Sequence, residues 1–569
     1  MKNPNFMLKT MVVAGAAMLL IVAPGVSVAA ASDPQIKSFA FKKNLPKAPV
    51  DAVAAAVYSQ LPNTGSSTPS GALSINLGFE GTSDYNTRAL GIGLIPPDTM
   101  GAVGTTQYVQ LINGSFSVYN KGTGTLATPR KTDSAWWTGI GGSTTAGDPR
   151  VMFDSVSSRW LALGFNSSGS GLNVGVSATA DALGPWKAST LSVFPAGIAD
   201  YPTMSISGNS IVIGTNNFTS VPSGGYSYAG TSLLVLPKTD IFAAGGPTFT
   251  GLQSFNTPYP GTFEDRGYAI QGVNTTSLAS TVNVVAASAY SNDAVTYRVT
   301  GAGTAAVAQT PLVYLSANGG SVHDSNGKAR QPTANGSARV VDTSDDRVAS
   351  SAWEVGGKIY FTHTVTPTAK DNTVVRIVVL DAATQKVLSE TDITDPSGSF
   401  DFYQGSLAVN ASGQVVVGYN RSGDLSTGAG LAGEGRISIF ARSFNTNANG
   451  TLSMTGDVLL KKSLVDDYHN GSPEGSNPAG RQRWGDYSAV SLDPTNAQSF
   501  WVIGEFAREF NNAGGGHPGG SGFGRWSTWI SEVNVTAVPE PSTWLMMVLG
   551  VGLLGASVKR RQRDQVAQG

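Results

Sequence analysis

The sequence predicts an all-β fold, and within that class a β-propeller, on three observations. From about Ser74 to Val535, short runs rich in Val, Ile, Tyr, Phe and Trp alternate with turn clusters of Gly, Asn, Asp and Ser. Across the same span no long helical period appears. Similar two-strand units also recur along it, spaced too widely and too unevenly for a solenoid. Composition agrees with this reading. Charged residues are 13 % of the chain, against roughly 25 % in ordinary soluble domains. Glycine, with 69 of 569 residues, is well above the usual share of about 7 %. A surface covered by Ser, Thr, Asn and Gly suits an extracellular β protein.

Taken in order, the chain begins with a positively charged end (Lys2, Lys9), an apolar run from Met11 to Ala23 and the small residues "SVAAAS". These are the three parts of a secretory signal peptide, assigned to residues 1–31. Residues 32–73 read as an irregular segment with one short helix in "VDAVAAAVYSQL" (Val50 to Leu61), followed by the linker-like "PNTGSSTPSGA". The propeller domain is placed over 74–535 and a C-terminal sorting segment over 536–569.

Seven units stand out inside the domain. They open at Gln107 ("QYVQLINGSFSVYNK"), Asp148, Asp200, Gly267, Arg347, Phe402 and Arg483 ("RWGDYSAVSLDPTNAQSFWVIGEFA"). Most read as an apolar strand, a turn such as "SGNS" or "ASGQ", and a second apolar strand, often with a further strand after a variable loop. Seven blades are favoured, with six or eight as alternatives. A right-handed β-helix would repeat more evenly, every 20–25 residues or so. A tandem of β-sandwiches would carry proline-rich linkers about every 100 residues. Neither pattern is present.

Several chemistries are excluded or left without support. The chain has no cysteine, which removes disulfides, thiolate ligands and cysteine nucleophiles. A net charge of −1 offers no field for nucleic acid. His323, His363, His469 and His517 lack metal-ligand spacing, so no metal site is assigned. Asp342, Asp345 and Asp346 in "DTSDD" invite calcium, but without EF-hand spacing they read better as turn residues, and no cofactor is expected. "GAGLAG" (428–433) and "GGGHPG" (514–519) satisfy G-x-G-x-x-G, yet strand-like sequence follows each, where a dinucleotide site needs a helix. No G-x-S-x-G elbow occurs.

The candidate site is a set of acidic, basic and aromatic residues at the starts of units: Asp148-Pro149-Arg150, Asp200-Tyr201-Pro202, Asp265-Arg266 and Arg483-Trp484-Gly485-Asp486-Tyr487. Equivalent positions on blades lie at one end of the channel, so these groups are expected to converge. Asp148, Arg150, Tyr201, Arg266, Trp484 and Tyr487 are the binding candidates. Asp200, Asp486 and Arg483 are the catalytic ones, because glycoside hydrolysis needs paired carboxylates. The competing reading makes the same groups ties between neighbouring blades. Repetition favours ties, since a scaffold needs one tie many times but a site needs each role once.

Two resemblances follow from residues already quoted. "PPDTMGAVGTTQYVQLINGSFSVYNK", "DPRVMFDSVSSRWLAL" and "RWGDYSAVSLDPTNAQSFWVIGEF" resemble segments of secreted bacterial propellers related to the sialidase-like group. The Asp-box Ser-x-Asp-x-Gly-x-Thr-Trp of sialidases is absent, so the resemblance implies the fold and not the activity. At the C-terminus, Pro539-Glu540-Pro541 precede an apolar transmembrane helix over 542–558, and Lys559, Arg560, Arg561 and Arg563 follow. Positive charges of this kind stay on the cytoplasmic side. This arrangement resembles the PEP-CTERM sorting signal of Gram-negative bacteria. The resemblance implies an exosortase partner, transient insertion in the inner membrane, removal of the tail and delivery to the cell surface or an extracellular polysaccharide matrix. The expected function is binding and adhesion to glycans or surface proteins in biofilm-like material, without catalysis. The alternative is a secreted glycan hydrolase with its site at the channel mouth.

Overall fold

In the computed structural model, residues 70–536 are described, apart from 72, 223–224, 259–265, 305–306, 325, 333–338, 369, 425–433, 469–480 and 511–523. The signal peptide, the helix expected at 50–61, the Gly-rich loops at 428–433 and 514–519, Asp265, His469, His517 and the sorting residues Pro539, Glu540, Pro541, Arg560, Arg561 and Arg563 lie outside the described residues. Among the described residues, no helix is long and apolar enough to cross a membrane.

The described chain is built of antiparallel meanders in sequence order. The first is Gly101–Val103, Gln107–Ile112 and Ser115–Asn120. The second is Thr145–Asp154, Arg159–Asn166, Gly171–Ser177 and Trp186–Ser192, and the third runs from Ile198–Ser207 to Gln253–Pro258. The fourth starts at Tyr268–Asn274, the fifth at Ala352–Val355 and the sixth at Asp401–Val409. The seventh is Ala489–Leu492, Ser499–Phe510 and Gly524–Val535, and its outer strand, Leu73–Ser83, comes from the other end of the chain. Each of the seven sequence units falls in a different meander.

The first strand of each meander packs against the first strand of the next, and that of the seventh returns to that of the first. The ring closes, which is the β-propeller architecture. The faces between meanders are apolar on both sides. Leu161 and Val174 meet Ile211 and Ile213, Val212 and Leu233 meet Ile270 and Tyr297, and Val103 and Tyr108 meet Trp501 and Ile530. Strands buried on both faces read as continuous apolar runs, which explains "VVRIVVL" and "SIVIG".

Turn chemistry follows local sequence. Val355 pairs with Lys358 across Gly356-Gly357, whose φ values of +58° and +72° give the type I′ turn that matches strand twist. At one end of the ring lies a small three-stranded sheet of Lys328–Ala329, Val340–Asp342 and Arg481–Gln482. It packs Ala329 and Val341 with Tyr468, Trp484 and Trp526 over meanders six, seven and one.

Candidate functional site

The candidate residues sit where the innermost strands begin. There the second, third, fourth and sixth meanders each carry a register shift in their first hairpin, between Gly147 and Arg150, Asp200 and Thr203, Tyr268 and Gln271, and Tyr403 and Ser406. A left-handed residue occupies each bulge: Asp148 (φ +50°), Tyr201 (+51°), Ala269 (+51°) and Gln404 (+53°). Asp98, just ahead of the first meander, shares the conformation at φ +50°. Bulges re-aim side chains at sheet ends. Pro149 and Pro202 fit beside them because a bulged residue needs no ladder N–H.

The bulges bring Asp98, Asp148, Asp200, Asp486, Arg150, Tyr201 and Tyr487 together at one end of the channel. Arg150 lies with its guanidinium carbon 3.5 Å from the Tyr487 ring centroid and 5.3 Å from that of Tyr201. Its Nε donates to the Pro202 carbonyl at 2.8 Å and its Nη1 to the Ala349 carbonyl at 3.2 Å. Asp148 Oδ2 accepts from the Tyr201 backbone N–H at 3.2 Å, and Asp98 Oδ1 from the Asp486 N–H at 2.8 Å. The Tyr487 hydroxyl donates to the Pro149 carbonyl at 2.9 Å, and the Tyr201 hydroxyl to the Asp486 carbonyl at 3.2 Å. Arg483 Nη2 reaches Asp486 Oδ2 at 3.4 Å.

Arg347 adds a second cation. It is clamped by Asp345 at 2.5 and 2.6 Å and lies 4.3 Å from the Tyr201 ring and 5.2 Å from that of Tyr268. The sixth meander joins through Gln404, whose amide donates to the Gly485 carbonyl, and whose own carbonyl accepts from Ser488 Oγ at 2.8 Å. Groups on or just ahead of the first strands of the seven meanders therefore meet at this end of the ring, the fourth through the Tyr268 hydroxyl, which accepts from Arg347 Nη2 at 3.4 Å.

Burial and crowding set the charge states. Burial, then the charges of Asp200 and Asp486, pushes the Asp148 carboxyl up to about 7. Burial, Asp486 and Asp148 hold the Asp98 carboxyl well above the ordinary range. Like charges this close disfavour joint ionisation, so the cluster retains protons that dispersed carboxylates would lose. Asp200 and Asp486 are 4 % and 8 % exposed. Tyr201 and Tyr487 are buried too, so in this arrangement the rings serve their neighbours and offer no stacking face to a ligand.

Two further candidates pack against other partners. Trp484 is buried edge-on to Tyr468 at 4.7 Å, with its indole N–H 3.4 Å from Asn420 Oδ1. Arg266 donates to the Thr310 carbonyl at 2.6 Å and lies 5.2 Å from the Tyr297 ring. Sequence reasoning missed Asp98, Tyr268, Asp345 and Arg347. The signal was available: each precedes or opens a first strand, as Asp148 and Asp200 do. "DTSDD" was weighed for calcium, but in the structure Asp345 pairs with Arg347 and Asp342 caps the Ser344 N–H at 2.8 Å.

Below the cluster the channel narrows to a cavity of about 60 Å³ lined by Met100, Met152, Met204, Gln271 and Trp353. A larger groove, about 710 Å³, lies on the outside between the fourth and fifth meanders.

No curated protein matches the chain. Solved structures that align with it are remote. A Dyadobacter fermentans protein of unknown function aligns at 10 % identity over 82 % of this chain and 100 % of that one, with TM-score 0.35. Hydrazine synthase of Kuenenia stuttgartiensis aligns at 9 % identity over 72 % and 92 %, with TM-score 0.38. The subtype N11 neuraminidase-like protein of a flat-faced bat influenza virus aligns at 10 % over 83 % and 99 %, with TM-score 0.30. At the C-terminus, residues 537–562 match the PEP-CTERM protein-sorting motif, a motif that implies export and recognition by an exosortase.

Proposed function

We propose that the protein is an exported cell-surface or extracellular-matrix component whose seven meanders are the blades of one propeller, acting as a binding and adhesion module for glycans or proteins. The observation that carries this reading is the joining of a sorting motif at 537–562 to a propeller whose converging charged and aromatic residues are spent on bonds between blades. The domain layout goes with it: a signal peptide over 1–31, a processed tail over 536–569 with its apolar helix at 542–558, and the propeller between. An exosortase of a Gram-negative cell is the sorting partner, and exopolysaccharide or surface proteins of a biofilm are the binding partners. Hydrolysis by Asp200, Asp486 and Arg483 would require those carboxylates to reach a substrate, and at 4 % and 8 % exposure Asp200 and Asp486 offer it almost no surface.

The test is a glycan-array screen of the protein run beside an assay for released sugar. Binding without release is the expected result. Release of sugar would turn the assignment to the hydrolase, and Asp200→Asn would then have to abolish it.

A further inference from the structure

The groove between the fourth and fifth meanders has a volume of about 710 Å³, within the usual range for ligand sites, roughly 300–1,000 Å³. Strands carry Asn283, Arg298 and Glu354, and turns at Gly356-Gly357 and Ala382-Ala383 complete the wall. Arg298, on Ala294–Thr300, donates from Nε to Asn283 Oδ1 at 3.2 Å and from Nη2 to the carbonyls of Ala382 and Ala383 at 2.6 Å each. Asn283, 6 % exposed, in turn donates to Glu354 Oε2 at 2.9 Å. One continuous chain of bonds therefore crosses from one meander to the next and fixes the guanidinium and the carboxylate in place. Arg298 Nη1 and Glu354 Oε1 take no hydrogen bond from the described protein. A donor and an acceptor are thus left open to the groove, already oriented.

We propose that this groove binds an internal stretch of a neutral polysaccharide, an inference that rests on the adhesion reading above and supplies its site. Charge decides against a charged polymer. Two cations, Arg298 and Lys358, stand with two anions, Glu354 and Asp381, so the groove presents no net field to uronates or to polycations. A sugar hydroxyl both donates and accepts, so neighbouring hydroxyls satisfy Glu354 Oε1 and Arg298 Nη1 together. The rim is exposed at Ser277, Ala279, Gly356, Gly357 and Ala383, which leaves the groove open for a chain to run through. A peptide partner would be expected to anchor bulky side chains in apolar pockets, and this lining is dominated by Thr, Ser, Asn, Gly and Ala. Asp381 caps the Ala383 and Thr384 N–H groups and accepts from the Thr384 hydroxyl, and the Thr384 bonds hold its carboxyl below the ordinary value.

The experiment measures binding of maltohexaose, cellohexaose and an alginate hexamer to the full-length chain in mild detergent. Variants Ala383→Trp, which fills the groove from its exposed rim, and Glu354→Gln, which removes the charged acceptor, are compared with the native chain. Val156→Ser, at an exposed turn of the second meander, serves as the control, and thermal unfolding checks each fold. A neutral hexamer is expected to bind and to lose at least tenfold in affinity in both groove variants and not in Val156→Ser. Neutral-hexamer binding that survives Ala383→Trp and Glu354→Gln overturns the groove and leaves the adhesion reading standing. Binding of the alginate hexamer alone overturns the neutral ligand class. Binding of no oligosaccharide at all sinks the groove and the glycan-adhesion reading together.

Discussion

At the residue scale, the channel-end network explains why so polar a set of side chains is buried. Arg150 is enclosed by carbonyls of the third and fifth meanders and by two tyrosine rings, with Asp148 and Asp200 close by. Arg150→Ala is expected to cost about 3 kcal/mol, because it leaves carboxylates uncompensated and opens a cavity beside Tyr487. Denaturant unfolding measures this, and a loss below 1 kcal/mol would mean that the cluster does not tie the blades. A second cluster supplies a pH dependence. His323 and His363 are buried edge to face with ring centroids 4.8 Å apart, and Asp346 Oδ2 lies 3.6 Å from His323 Nδ1. Burial, then the charge of Asp345, pushes the Asp346 carboxyl up to about 8. In the unfolded chain it titrates near 4, so between those values the folded state holds a proton that the unfolded state has released. Stability therefore falls as pH rises through that window and levels off above about 8. Asp148, at about 7, acts in the same direction. Burial pushes His323 down to about 4, and its opposing effect is confined to pH values below about 6.5. Between pH 7 and 8.5 the Tm should fall, and Asp346→Asn should flatten the slope. A Tm that rises over this range would contradict the assignment.

Closure is decided at the scale of the element. Leu73–Ser83 pairs antiparallel with Gly524–Val535, from Leu73↔Val535 to Ser83↔Ser527. Arg508 Nε joins Glu80 Oε1 at 2.5 Å, and Gln110 ties Thr82 to Thr528. Without this strand the edge of Gly524–Val535 is bare, and a bare edge invites aggregation. Deleting residues 1–83 is expected to abolish the single cooperative transition and yield aggregates in size-exclusion chromatography. A monomer with native Tm would refute the closure. Leu73, fully buried against Val458 and Val533, should cost about 2–4 kcal/mol as Leu73→Ala in the same unfolding assay. The individual strands were legible in the sequence because burial on both faces writes itself as apolar runs. The closing strand was not. The domain was placed from Ser74 but its first unit opened only at Gln107, so no unit covered Leu73–Ser83, and a pairing between Leu73 and Val535 leaves no local pattern at either end.

At the scale of the whole molecule, a closed ring of meanders is joined to a sorting motif at residues 537–562. Deleting residues 537–569 is expected to leave the propeller intact and shift the protein from the cell surface to the medium, read by fractionation and immunoblot. Unchanged surface retention would show that the tail is not the address. The sequence by itself determined the fold class, the order of its recurring units, and the C-terminal motif. These depend on local apolar alternation, turn residues and contiguous signals. Only the tertiary structure decided that Asp98 and Arg347 belong with Asp148, that Trp484 packs on Tyr468 and Arg266 by Tyr297, and that Arg298 and Glu354 share a groove. Those groups are brought together by left-handed bulges and by strands on neighbouring meanders. A contact made by closing a ring depends on distance in space, which spacing along the chain does not encode.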